Sequence, residues 1–250
     1  MIGIIAKHQC LTLLRSAQTW VIAAILALLF GFLFLRQLEN FINVQDQLAL
    51  RDYPVGLSGF LSVSHLQPLA LAFSFVAPLF AMRTFSDEFR QHTYALWQSS
   101  PVSTAALVLG KFIGLCLVLA VLVVLAVSTV LFMQLFVPID LPVVASATLG
   151  LLLCSATSAA CGLYFSSLTK HTLVAIVSSL ALLILLWLLG SANFGELPVQ
   201  FVRQISFSHH LSGFFQGYLQ SASISYFVLL SAAFLALAVV RLDSLRQNGY

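Results

Sequence analysis

Uncharged apolar runs alternate along this chain with short segments that hold nearly all of its charge. A helix needs about 17–25 mostly apolar residues to cross hydrocarbon. Runs near that length read from Thr19 to Leu35, Leu66 to Met82, Leu107 to Phe136, Val143 to Leu168, Leu173 to Gly190 and Tyr226 to Val240. None alternates apolar and polar positions as a barrel strand would. The pattern predicts an all-α membrane protein with six transmembrane helices in one domain spanning 1–250. The third run is longer than a crossing needs, so it tilts or protrudes.

Three segments between or before the runs carry their own pattern. In residues 1–18 a helical wheel groups Ile2, Ile5, Ala6, Cys10, Leu13, Leu14 and Ala17 on one face. Lys7, His8, Arg15 and Gln18 lie opposite. This predicts an N-terminal interfacial helix. The apolar run after it is too long for a signal peptide and lacks a small-residue cleavage site, so it is expected to be a retained span. In residues 83–104, Phe85, Phe89, Thr93 and Leu96 recur at helical spacing, with Asp87, Glu88, Arg90 and Gln91 between them. Pro101 stops the unit, and Ser103 or Thr104 can cap the next helix. The segment 191–225 contains Pro198, His209, His210 and several Phe residues. It is too polar to span and too apolar to be disordered, which fits short helices at the interface.

Composition strengthens the membrane reading. Sixty per cent of the residues are hydrophobic and 8% are charged, against about 25% charged in soluble domains. Mean hydropathy is +1.03. A soluble enzyme, a disordered chain and a nucleic-acid binder are excluded. Lys7, Arg15, Arg83, Arg90, Lys111, Lys170, Arg241 and Arg246 fall on one side of a six-span topology. Arg36, Arg51 and Arg203 fall on the other. The excess places both termini in the cytoplasm.

The predicted span interiors contain no Asp, Glu, Arg or His, and Lys111 sits at a mouth. That argues against proton relays, voltage sensors and ion-coupled carriers. No G-x-S-x-G elbow and no P-loop occur, so the chain is not expected to be an enzyme or to hydrolyse ATP. Cys10, Cys116, Cys154 and Cys161 make no metal or disulfide pattern. Adjacent histidines on a helix point about 100° apart and rarely share an ion, so His209 and His210 read as hydrogen-bonded interfacial residues. In the fourth run Ser155 and Ala159, and Ser158 and Gly162, form small-xxx-small pairs suited to close helix packing, within one subunit or across a dimer. A six-span protein with no internal energy source needs force from outside.

Residues 76–114, VAPLFAMRTFSDEFRQHTYALWQSSPVSTAALVLGKFIG, resemble the permease subunits of ABC type-2 transporters. Met82, Arg83 and Phe85 match the exit from the second span. Glu88 and Arg90 match its acidic and basic residues, and Thr93 and Leu96 the helix. Ser100, Pro101, Val102 and Ser103 match the stop, and Gly110, Lys111 and Phe112 the next opening. His92 stands where the family has Gly, and Ala95 where it has a second acidic residue. The closing block from Phe207, with Ser208, His209, Phe214, Gly217 and Tyr226, looks like the gliding-motility-type branch.

The resemblance implies a permease in a bacterial inner membrane, acting as a dimer with itself or with a homologous permease. It implies two copies of a separate ABC ATPase that binds ATP and Mg; no cofactor is implied for this chain. The ATPase would dock on a cytoplasmic coupling helix at 83–98, between spans 2 and 3. Glu88 and Arg90 would make polar contacts, and Phe85 and Phe89 packing contacts. Arg83, Thr93 and Leu96 would lie on the same helix, and Pro101 would set the angle into span 3. Gly110 and Lys111 would form the cytoplasmic mouth. Export is the implied direction. The chain's few polar span residues favour a lipidic or amphipathic cargo, while the substrate site is unassigned. Two alternatives stay open. One is a non-transporting scaffold that uses its ATPase mechanically, with a periplasmic partner. The other is a haem- or metal-handling factor using His209 and His210.

Overall fold

The computed structural model describes residues 1–49, 57–91, 102–136, 139–190 and 204–248. Among these the chain is helical and contains no strand. The helices are α1 (Ile2–Arg15), α2 (Ala17–Ala49), α3 (Leu57–Leu61), α4 (Gln67–Ala81), α5 (Arg83–Arg90), α6 (Thr104–Phe132), α7 (Leu141–Leu168), α8 (Thr172–Leu188), α9 (Phe207–Phe215) and α10 (Ser221–Asn248). A π-helical turn, Ser62–Leu66, joins α3 to α4.

Local chemistry sets several boundaries. The backbone turns extended at Ser16 and separates α1 from α2. Ser103 caps α6 by accepting from the Ala106 N–H at 3.3 Å. Pro142 sits in the first turn of α7, where its missing N–H costs nothing. Ser206 caps α9, and Gly217, at φ +86°, provides the left-handed residue that ends it.

Five stretches are long and apolar enough to cross a membrane: Ala17–Val44, Gly59–Arg90, Thr104–Leu135, Leu141–Leu168 and Ser221–Gln247. The chain is a multi-pass membrane protein. Six were expected, and five reach this length. The fifth predicted span is present as α8, but it has 17 residues. At 1.5 Å per residue it reaches about 25 Å, short of a core of about 30 Å.

The second crossing also differs from its prediction. It begins near Gly59 rather than Leu66 and so brings His65 inside, where the sequence pattern had placed no histidine. The imidazole is 1% exposed, and neither ring nitrogen has a hydrogen-bond partner among the described residues. Phe34 meets it edge-on at 5.4 Å. Helices α2 and α10 outrun their apolar segments, because polar residues beyond Leu35 and Val240 continue the helix past hydrocarbon.

Helix α7 is the centre of the bundle: α4, α5, α6, α8, α9 and α10 all pack on it. Its small residues permit this. A Cβ on Gly162 would lie 2.8 Å from the Ala81 Cβ and 2.9 Å from the Pro78 Cα, and one on Gly150 would lie 2.8 Å from the Phe214 Cβ. Ser155, Ser158 and Ala159 are buried along the same helix. Ser155 and Ser158 hydrogen-bond to the carbonyls of Leu152 and Cys154. The close approach at Gly162 is therefore made within one subunit. By contrast α2 is largely exposed, with Trp20, Leu28, Phe32 and Leu35 facing outward.

One end of the bundle gathers α1, α5, the start of α6, the ends of α7 and α10 and the start of α8. Thr104 is hydrogen-bonded to Asp243 there, and Arg246 donates to the Val102 carbonyl at 3.2 Å. The opposite end carries α9.

Candidate functional site at the Arg83 end

Met82 keeps helical backbone angles, so α5 continues from α4 with little change of direction. Its sequence, RTFSDEFR, is strongly amphipathic. Thr84, Phe85, Ser86 and Phe89 are buried, whereas Arg83 and Arg90 are exposed. The Phe85 and Phe89 rings stack with centroids 6.5 Å apart.

Three anchors hold the inner face. The first is Lys111, from the opening turns of α6. Its Nζ lies 2.6 Å from Glu88 Oε1 and donates to the Thr84 carbonyl at 2.8 Å. It also sits 4.2 Å from the centroid of the Phe85 ring, a cation–π contact. The Lys111 side chain is 3% exposed. A buried ammonium is tolerated only when paired and hydrogen-bonded, and here it has both.

The second anchor is Ser166, near the end of α7. Its hydroxyl accepts the N–H groups of Phe85 (3.0 Å) and Ser86 (3.1 Å) and donates to the Met82 carbonyl at 2.8 Å. Ser86 returns a bond to the Ser166 carbonyl at 3.2 Å. One hydroxyl thus satisfies backbone groups left over at the α4–α5 junction. The third anchor is Asp87, which pairs with Arg90 at 3.5 Å and accepts from the Thr172 hydroxyl at 3.4 Å. That contact ties α5 to the first turn of α8.

Beside these anchors α1 packs on α6. A Cβ on Gly110 would lie 2.8 Å from the Ile5 Cβ. One on Gly114 would lie 2.7 Å from the Gln9 Cβ and 2.8 Å from the Ala6 carbonyl oxygen. Two glycines four apart make the shallow track on which α1 lies. Ile5 and Ala6 are its buried residues, while Ile2 and Ala17, also predicted for the apolar face, are exposed.

The sequence-predicted site residues fall into three groups. Arg83 and Arg90 are exposed on α5, as a docking contact requires. Phe85 and Phe89 were expected to pack on an ATPase. They point into the bundle instead, at 0% and 2% exposure, because α7, α8 and the Lys111 side chain of α6 already cover that face. Glu88 likewise spends one oxygen on Lys111 rather than presenting it outward. Of the two residues expected at the cytoplasmic mouth, Gly110 seats α1 and Lys111 is buried. Thr93, Leu96 and Pro101 lie outside the described residues. The sequence reading missed Ser166, Thr84 and Thr172. A serine pair closing the fourth apolar run was the available signal for the first.

At the opposite end His210 stacks on Tyr226 with centroids 4.2 Å apart. Its Nδ1 lies 3.2 Å from the Ser223 hydroxyl and its Nε2 2.9 Å from the Gln204 carbonyl. The carbonyl can only accept, so Nε2 carries the proton and donates, and Nδ1 accepts from Ser223. Both nitrogens are engaged, as the reading of a hydrogen-bonded interfacial histidine expects. Burial holds the imidazole below its ordinary pKa.

The family model described as ABC-2 family transporter protein matches residues 4–244. The chain belongs to the ABC-2 transporter family. The match runs from α1 to the last turns of α10 and includes both ends of the bundle. An ABC-2 family member is a membrane permease of an ABC transporter, and the family implies an ABC ATPase as partner. A search of curated proteins gives no match to the chain.

Proposed function

We propose that this chain is the permease subunit of an ABC exporter, and that a separate ATPase docks on the exposed edge of α5. The observation that carries the reading is the triple anchoring of α5. A helix tied to α6 through Lys111, to α7 through Ser166 and to α8 through Asp87 cannot move without moving the bundle. Force applied at Arg83 and Arg90 passes to the spans as a rigid-body displacement. The chain carries no P-loop, so ATP and Mg belong to the partner, and this subunit is not itself an enzyme.

Helix α8 serves as the sixth crossing, with Leu189 and Gly190 extending it by about 3 Å. Both termini then lie at the Arg83 end together with eight of the eleven Lys and Arg residues, an excess that supports a cytoplasmic orientation for that end, in a bacterial inner membrane on this reading. On this reading α1 lies at the cytoplasmic interface and α5 is the described part of the coupling helix. Two permeases pair and seat two ATPases. The closing block from Phe207 supports placement in the gliding-motility-type branch.

The test is co-purification of the chain with the ABC ATPase encoded beside its gene. Arg83→Glu/Arg90→Glu is expected to lose the ATPase while eluting as a folded protein. Full retention of the ATPase by this variant would overturn docking on α5.

A further inference from the structure

A cavity of about 650 Å³ lies between α1, the start of α2, the α4–α5 junction and Lys111. Its size falls within the range of small-molecule sites. Ile4, Ile5, Leu13, Leu79 and Phe80 make its apolar wall. Its charged wall is already largely neutralised: Glu88 is paired with Lys111, and Asp87 with Arg90. Arg83 lines the same cavity, is exposed, and forms no ion pair among the described residues. Next to it Thr84, 6% exposed, has a buried hydroxyl with no hydrogen-bond partner among the described residues. An unpaired guanidinium and an unspent hydroxyl beside an apolar chamber fit an amphiphile with one anionic head.

We infer that this cavity holds an anionic membrane lipid. Its phosphate sits on Arg83 and Thr84, and its acyl chain runs between Ile4, Leu13 and Leu79. The lipid comes from the leaflet at the Arg83 end, because the cavity lies where α1 meets the bundle. Charge complementarity selects it: with the two carboxylates paired, the net charge left facing the chamber is positive. The inference is independent of which ATPase docks and of transport direction. The lipid wedges α1 against α5 and is a structural ligand rather than cargo.

The experiment is native mass spectrometry of the full chain in detergent, titrated with phosphatidylglycerol and, separately, phosphatidylcholine. One phosphatidylglycerol per chain is expected, held about tenfold more tightly than phosphatidylcholine, the worth of one charge-assisted contact. Arg83→Gln/Thr84→Val removes the preference. Ile4→Trp, a change at an exposed position that fills the apolar wall, weakens both lipids. Arg15→Gln, an exposed cation outside the cavity, leaves the preference intact. Equal retention of the two lipids by the wild type would overturn the inference. So would an equal loss in Arg15→Gln, or full displacement by glycerol 3-phosphate alone, which would mark a site for free phosphate.

Discussion

Lys111 on α6 reaches Glu88 on α5 across 2.6 Å, with its ammonium also on the Thr84 carbonyl and beneath the Phe85 ring. A pair this enclosed is costly to break from one side, because the remaining charge stays buried. Lys111→Met is expected to destabilise the folded chain by about 3 kcal/mol, near the lower end for buried pairs since Glu88 keeps some solvent. Lys111→Met/Glu88→Met should recover much of that loss, because two apolar side chains of similar length leave no orphan charge. Thermal unfolding in detergent of the two variants and the wild type measures both.

Ser166 spends its hydroxyl on three backbone groups of the α4–α5 junction. Ser166→Ala leaves the Phe85 and Ser86 N–H groups unmet, a loss of about 1–3 kcal/mol. Hydrogen exchange should rise at residues 83–90 and stay unchanged in the centre of α7. Unchanged exchange in α5 would show that the serine is not its anchor.

Gly114 faces the Ala6 carbonyl oxygen at a distance no Cβ can share. Gly114→Leu should therefore lift α1 from α6, where Gly3→Leu, with open space around it, should not. Cleavage by trypsin after Lys7 and Arg15 reports the release. Equal cleavage in both variants would contradict the packing.

Burial lowers the His210 pKa from its ordinary value of 6.5, with the neighbouring His209 adding to the effect and the Gln204 carbonyl opposing it. In the unfolded chain the imidazole takes up its proton near the ordinary value. The unfolded state therefore binds more protons as pH falls through about 6.5, and stability declines below that value. Wild type should lose more Tm between pH 7.5 and pH 5 than His210→Gln, whose amide keeps a donor for the Gln204 carbonyl.

The membrane class and most crossings were legible, because hydrocarbon demands long uncharged runs and the chain supplies them. What escaped depended on partners distant in sequence. The period of Phe85 and Phe89 correctly marks an apolar face. It cannot tell whether a partner protein or the subunit's own α7 and α8 cover that face. Lys111 reads locally as a cation at a span mouth, since nothing around it points to Glu88. His65 was placed outside the membrane because the apolar run was read from Leu66, yet the helix passes through His65 by way of a π turn. Gly110 and Gly114 were visible as residues; their function as a seat for α1 required knowing where α1 lies.

The central claim is that α5 is the seat of the ATPase. In a background without the four native cysteines, Arg90→Cys and His209→Cys place single thiols at opposite ends of the bundle, both exposed. Each would be treated with a short thiol–amine crosslinker in the complex with the ATPase. The account predicts a crosslink from position 90 and none from position 209. A crosslink from position 209, or none from position 90 in an intact complex, would contradict it.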